Sequence, residues 1–131
     1  MLSAAESFNR ITDGRYTNLI PEQGALTVLD PRGSRLDSSQ LSRGATEQLY
    51  LAMRFALARQ HARTTSLPLV LDDVLVNADP PRKRHLAREL HVVATDLQVL
   101  LFTCHPETAE LLAEVGCSTG RGPTNIVEMP R

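Results

Sequence analysis

From Leu49 onward apolar residues recur at positions 49, 52, 53, 56 and 57, the one-face spacing of an α-helix. Leu51, Phe55 and Ala58 add apolar surface on another side, so the helix is wetted on only a narrow strip and is expected to be a central one. Ser42 and Gly44 stand where this helix begins. There the Ser hydroxyl, the unpaired N–H groups of the first turn and the positive end of the helix dipole all favour an anion. The same residues also fit a plain capped core helix, with Ser42 as N-cap and Gly44 as a flexible residue. Both readings stay open at this level.

Downstream, residues 69–71 and 99–102 are short continuous apolar runs with a helical segment between them. That pattern predicts parallel strands buried on both faces, and hence an α/β architecture. The intervening helix starts after Asp79-Pro80-Pro81, a cap followed by prolines tolerated in a first turn, and Leu86, Leu90, Val93, Ala94 and Leu97 line its buried side. A further helix over 107–115 begins after Pro106, carries Glu107 and Glu110 near its positive end and stops at Gly116. Residues 125–129 read as a last strand, reached through the Gly/Pro-rich segment 120–123. Upstream, Ala4, Ala5, Phe8 and Ile11 have helical spacing, and Gly14 sits where a C-terminal cap belongs. Residues 16–20 and 25–29 predict a hairpin turned by Pro21-Glu22-Gln23-Gly24, and 31–40, polar and without apolar period, a loop.

Composition narrows the class without naming a chemistry. A chain of 131 residues, 42% hydrophobic and 22% charged, suits one domain spanning residues 1–131 with a modest core. A net charge of −1 supplies no global attraction for nucleic acid, so any DNA contact must be local or lie in another part of the protein. Cys104 and Cys117 are too few for a disulfide framework or a four-ligand zinc site. No apolar run is long enough to cross a bilayer, and a reduced, cytoplasmic protein is expected.

Candidate chemistry lies at the ends of the buried segments. The first run ends in Asp72-Asp73 and the second in Thr103-Cys104-His105, while Ser42 opens the long helix. In this order and at these separations the segments resemble the C-terminal lobe of an ABC-type ATPase head of the structural-maintenance-of-chromosomes (SMC) and related DNA-repair kind. Leu41-Ser42-Arg43-Gly44 resembles the signature motif within 41–58, the segment ending in Asp72-Asp73 resembles Walker B, and Val76-Asn77-Ala78-Asp79 the D-loop, both within 67–79. His105, closing 99–105, resembles the switch histidine. The wording LSRGATEQLYLAMRFALA followed by PLVLDDVLVNAD is most similar to the bacterial YhaN-like branch, whose large proteins carry a long coiled coil between two head lobes.

The resemblance implies an α/β P-loop NTPase lobe, a mainly parallel sheet flanked by helices. Residues 1–14 would be the end of a coiled-coil arm, followed by the hairpin. It implies ATP and Mg²⁺ as cofactors, and hard oxygen ligands at a strand end suit Mg²⁺, so Asp72 is the expected metal ligand. Asp73, where SMC heads usually carry Glu, would polarise or deprotonate the attacking water, and His105 would sense the γ-phosphate. Ser42, Arg43 and Gly44 would act in trans on ATP held by another head, with Asn77 and Asp79 in the D-loop. No Gly-x-x-x-x-Gly-Lys-Ser/Thr loop occurs in the sequence, so nothing here cradles the α- and β-phosphates. The expected partners are therefore a Walker A lobe encoded upstream, a second head in a homodimer, and DNA with a nuclease subunit; no membrane is expected. The alternative is a stand-alone, non-hydrolysing module that pairs with or regulates another head. A metal cluster of Cys104, His105 and Asp72 is discounted because no fourth ligand is near in sequence. The basic run Arg82-Lys83-Arg84-His85 with Arg88 is read as a solvated helix start rather than a DNA-facing patch.

Overall fold

The computed structural model describes residues 2–22, 24–120 and 124–130. The elements are α1 (Leu2–Ile11), β1 (Asn18–Glu22), β2 (Ala25–Leu29), β3 (Arg35–Asp37), a short 3₁₀ helix (Ser38–Gln40), α2 (Arg43–Ala62), β4 (Leu69–Asp72), α3 (Pro80–Val93), β5 (Val99–Phe102) and α4 (Pro106–Thr119). They form two compact units, residues 1–66 and 67–131. The architecture is α/β, but the sheets are mixed: β1, β2 and β3 pair antiparallel, and the parallel pairing is that of β4 with β5. The expected mainly parallel sheet is therefore replaced by two small sheets of opposite kind.

In the first unit the predicted apolar stripe of α1 is buried at Ala4, Ala5, Phe8 and Ile11. The helix ends at Ile11, and Asp13, left-handed at φ 54°, turns the chain so that the Gly14 N–H reaches the Asn9 carbonyl at 2.8 Å. Phe8 stacks on Tyr16 with ring centroids 5.0 Å apart. The hairpin forms, but β1 starts at Asn18 and includes Pro21, which an edge strand tolerates. Gln23 of the expected turn lies outside the described residues. The expected loop 31–40 instead contains β3, because the Asp30 carboxylate accepts from the N–H groups of Arg32 (2.9 Å) and Ser34 (2.7 Å) and turns the chain back onto β2.

Helix α2 packs chiefly on α1, with Ala45, Gln48, Leu49, Ala52 and Phe55 inside. The predicted face is met in part: Leu49 and Ala52 are buried, but Met53 and Leu57 are exposed, alongside Tyr50, while Phe55 from the other side is fully buried. Ala45 and Ala52 are small enough to permit close approach to α1, and Phe55, the largest apolar side chain of the helix, goes inside with them. Gln48 is polar yet buried, and its Nε2 donates to the carbonyl of Ile11 at 3.3 Å. It thereby satisfies an acceptor that the end of α1 leaves without a helical partner.

In the second unit β4 and β5 run in register, Leu69 opposite Val99 and Asp72 opposite Phe102. Burial alternates along both strands. Leu71 is buried, whereas Val70, Asp72, Leu100 and Phe102 share an exposed face, so the expectation of strands buried on both faces is not met. Helix α3 starts as predicted: the Asp79 side chain accepts from the Arg82 N–H at 3.0 Å, with Pro80 and Pro81 next. Leu86, Leu90 and Val93 are buried as expected, but Ala94 is an exposed C-cap, and Glu89 and His91 are buried instead. Helix α4 continues past Gly116 to Thr119 and ends at Gly120, in the left-handed conformation. Gly116 is a packing glycine: a Cβ there would lie 2.7 Å from Cε1 of His91. Residues 124–130 form no strand, and 121–123 lie outside the described residues. No helix among the described residues is long and apolar enough to cross a membrane.

Candidate functional site

The parallel register builds the site. Because Asp72 stands opposite Phe102, the residues that follow, Asp73 and Thr103, leave the sheet side by side. The Asp73 N–H extends the ladder by one bond, to the Phe102 carbonyl at 2.9 Å. Its φ is then 47°, a left-handed conformation that Asp adopts more readily than most residues. The chain turns sharply here, with the Val76 N–H closing on the Asp73 carbonyl at 3.1 Å and buried Leu75 anchoring the turn.

The Asp73 carboxylate is held at both oxygens. Thr103 Oγ1 donates to Oδ1 at 2.6 Å, and the Cys104 thiol donates to Oδ2 at 3.6 Å. Thr103 in turn accepts from the His105 N–H at 3.1 Å, so one hydroxyl ties the strand end of β4 to the start of α4. The Thr103 hydrogen bond above all, then the Cys104 thiol and the charge of His105, hold the Asp73 carboxyl below its ordinary range against a desolvation effect that raises it. The same contact works oppositely on Cys104, whose thiol is pushed up by its hydrogen bond to Asp73 and by the carboxylate charge. His105 is half-buried at the N-cap of α4, and its Nδ1 lies 3.3 Å from Oε1 of Glu107.

Asp72 sits beside this cluster on the exposed sheet face, where its carboxylate is accessible. Asn77 is exposed in the turn that follows, and Asp79 is occupied as the cap of α3 and by an ion pair with Arg82 at 3.2 Å. Of the basic run, Arg82 is thus paired, and Arg84 meets Glu114 at 2.9 Å. In the first unit Ser42 caps α2, its hydroxyl accepting from the Ala45 N–H at 3.3 Å. Arg43 is exposed and meets Glu47 at 3.1 Å, and Gly44 is half-buried in the first turn. Among the predicted residues, then, Asp73 and His105 are brought together around one hydroxyl. Thr103, the group that joins them, was not singled out from the sequence; a Thr two positions before a His at a strand end is a hydroxyl-backbone turn, and that was its signal.

No family model matches the chain. It is 39% identical over 110 residues to the uncharacterized protein YhaN of Bacillus subtilis, a match that covers 79% of this chain and 11% of YhaN. It is also 36% identical over 66 residues to the uncharacterized protein Rv1278 of Mycobacterium tuberculosis, covering 50% of this chain and 8% of that protein. The SMC head domain of Thermotoga maritima superposes with a TM-score of 0.60 at 22% identity, over 88% of this chain and 41% of that one. The Smc head domain of Pyrococcus furiosus, solved with an extended coiled coil and bound to the C-terminal domain of ScpA, gives 0.61 at 15% identity, over 86% of this chain and 29% of that one. The chain is homologous to YhaN and has the fold of an SMC ATPase head. It spans about a tenth of the length of the curated relatives it matches.

Proposed function

We propose that the chain is the C-terminal lobe of an ATPase head in a larger SMC-like protein, whose heads engage around ATP and act on DNA. The observation that carries this reading is the Asp73–Thr103–His105 arrangement at the carboxyl ends of two parallel strands, the place where α/β sheets take their ligands. The fold shared with SMC heads supports it. So does a further solved structure, from work on ATP-driven dimerisation and DNA-stimulated activation of SMC ATPases, which superposes with a TM-score of 0.60 at 14% identity over 83% of this chain and 71% of that one.

In this reading Asp72 offers the hard, accessible oxygens that Mg²⁺ takes, and the ion supplies charge neutralisation for phosphate oxygens. Asp73 orients the attacking water. A carboxyl held below its ordinary range is a weaker proton acceptor, which favours polarising the water over deprotonating it. His105 presents its ring to the γ-phosphate, held by Thr103 and Glu107. Ser42, the N-cap of α2, with Arg43 and Gly44 in its first turn, acts at the positive end of the helix on the nucleotide of the opposite head. Asn77 and Asp79 line the turn between the two heads. The phosphate-cradling loop comes from a Walker A lobe elsewhere in the protein, with the two heads forming a homodimer on DNA and a nuclease subunit as a further partner. Asp73→Asn in the full-length protein tests the reading. Hydrolysis is expected to fall by roughly a hundredfold or more while ATP binding persists, so ATP-engaged dimers accumulate in gel filtration. Unchanged turnover would reduce Asp73 to a turn residue.

A further inference from the structure

The Asp73 carboxylate, the Cys104 sulfur and a His105 ring nitrogen lie within 4.8 Å of one another. These three donor types together suit neither Mg²⁺ nor Ca²⁺, which take oxygen ligands, but match the mixed thiolate, imidazole and carboxylate chemistry of zinc. The geometry agrees. With about 2.3 Å from zinc to sulfur, about 2.0 Å to oxygen and a tetrahedral angle between them, the sulfur-to-oxygen edge of a site is about 3.5 Å. Cys104 Sγ stands 3.6 Å from Asp73 Oδ2, the length of that edge to within about 0.1 Å. A His105 ring nitrogen is the third donor, within 4.8 Å of the other two, and Glu107, 3.3 Å from Nδ1, is the carboxylate that would orient the imidazole with its other nitrogen on the ion. Cys104 is exposed, so an ion has access, and three protein ligands leave a fourth position open to water or a phosphate oxygen. The sequence alone discounts a cluster of Cys104, His105 and Asp72 because no fourth ligand is near; the strand register brings Asp73 to Cys104 and His105, while Asp72 lies on the exposed sheet face.

We propose that Asp73, Cys104 and His105 form a zinc site, at which a bound ion takes the two groups that the nucleotide reading assigns to water and γ-phosphate and so arrests turnover. On binding, the Cys104 thiol releases its proton to solvent and the thiolate, carboxylate and imidazole each donate one pair to the ion. The site stands on the cluster's geometry; the arrest of turnover rests on the functional reading above.

Cobalt(II), added alone to the reduced chain, tests the site. One ion per chain is expected to bind with a thiolate-to-cobalt charge-transfer band and the visible bands of a tetrahedral centre. Micromolar Zn²⁺ should displace it and millimolar Mg²⁺ should not. Cys104→Ser should abolish the charge-transfer band, and His105→Ala should weaken Zn²⁺ binding by at least about tenfold, the loss seen even for outer partners of a metal. Cys117→Ser, altering the other exposed thiol, should change neither. Absence of the band, or its survival in Cys104→Ser, overturns the site. In the full-length protein, Zn²⁺ should cut ATP turnover at least about tenfold, and that ratio, measured within each variant, should approach one in Cys104→Ser. A protein that binds zinc with the same turnover in its presence overturns the regulatory half. Hydrolysis without zinc binding sinks this inference alone, whereas zinc binding without any ATP hydrolysis sinks the nucleotide reading and the arrest that rests on it, and leaves the site.

Discussion

Thr103 is the residue on which the second unit's site turns, because its hydroxyl donates to Asp73 and accepts from the His105 N–H. Thr103→Val keeps the shape and removes both bonds, so the Asp73 carboxyl should rise toward its ordinary range, read by carbon NMR of that carboxyl against pH. The sign for stability follows. A carboxylate with a lowered folded pKa stabilises the fold fully above its unfolded pKa and loses that contribution as pH falls through the folded value. Wild type and Thr103→Val should therefore differ more in melting temperature at neutral pH than in strong acid, and an equal gap at both would show that Asp73 gains nothing from Thr103. Gly116 makes the second residue-scale case. Gly116→Ala brings a methyl within 2.7 Å of the buried His91 ring, which also holds the Leu112 carbonyl at 2.9 Å. The cost should be about 1–3 kcal/mol, seen as a lowered melting temperature. In the sequence, Gly116 reads as a helix stop, because a glycine's need for space and its preference for helix ends leave the same letter. The placement of Asp73 and His105 at strand ends was legible from the apolar runs before them; the bridging place of Thr103 was not, since it exists only once the register sets it beside Asp73.

At the scale of elements, local chemistry was the readable part. The stripe of α1, the Asp79-Pro80-Pro81 start of α3 and the Ser42 start of α2 stand where their side chains dictate. What a helix packs against is not local, and there the reading of α2 held only in part. Its sequence offers apolar residues on nearly every side, so periodicity alone cannot choose between the Phe55 face and the Met53–Leu57 face. The same holds for β4 and β5, whose unbroken apolar letters suggested burial on both sides although one face is exposed. The face that α2 buries has a direct consequence. Phe55→Ala should cost about 3–5 kcal/mol by denaturant unfolding, because the ring is fully buried, while Leu57→Ala, 55% exposed, should stay within about 0.5 kcal/mol. The reverse order would place the Met53–Leu57 face inside. The strand expected over 125–129 has no ladder partner among the described residues, and β-propensity without a neighbouring edge makes no strand.

At the scale of the whole molecule, the proposed function makes this chain one part of a composite nucleotide site, in which Asp72, Asp73 and His105 would serve ATP bound to their own head and Ser42 would serve ATP bound to the other. A mixed dimer of the full-length protein separates this from a site complete within one head. One subunit carries Ser42→Arg and the other lacks the lysine of its own phosphate-cradling loop. If Ser42 acts across the interface, both defects fall on one composite site, the other remains whole, and the purified heterodimer should turn over ATP at up to about half the wild-type rate when the two sites fire independently. A heterodimer with almost no ATPase activity, beside single-mutant controls that retain theirs, would place one defect in each site and contradict the composite arrangement.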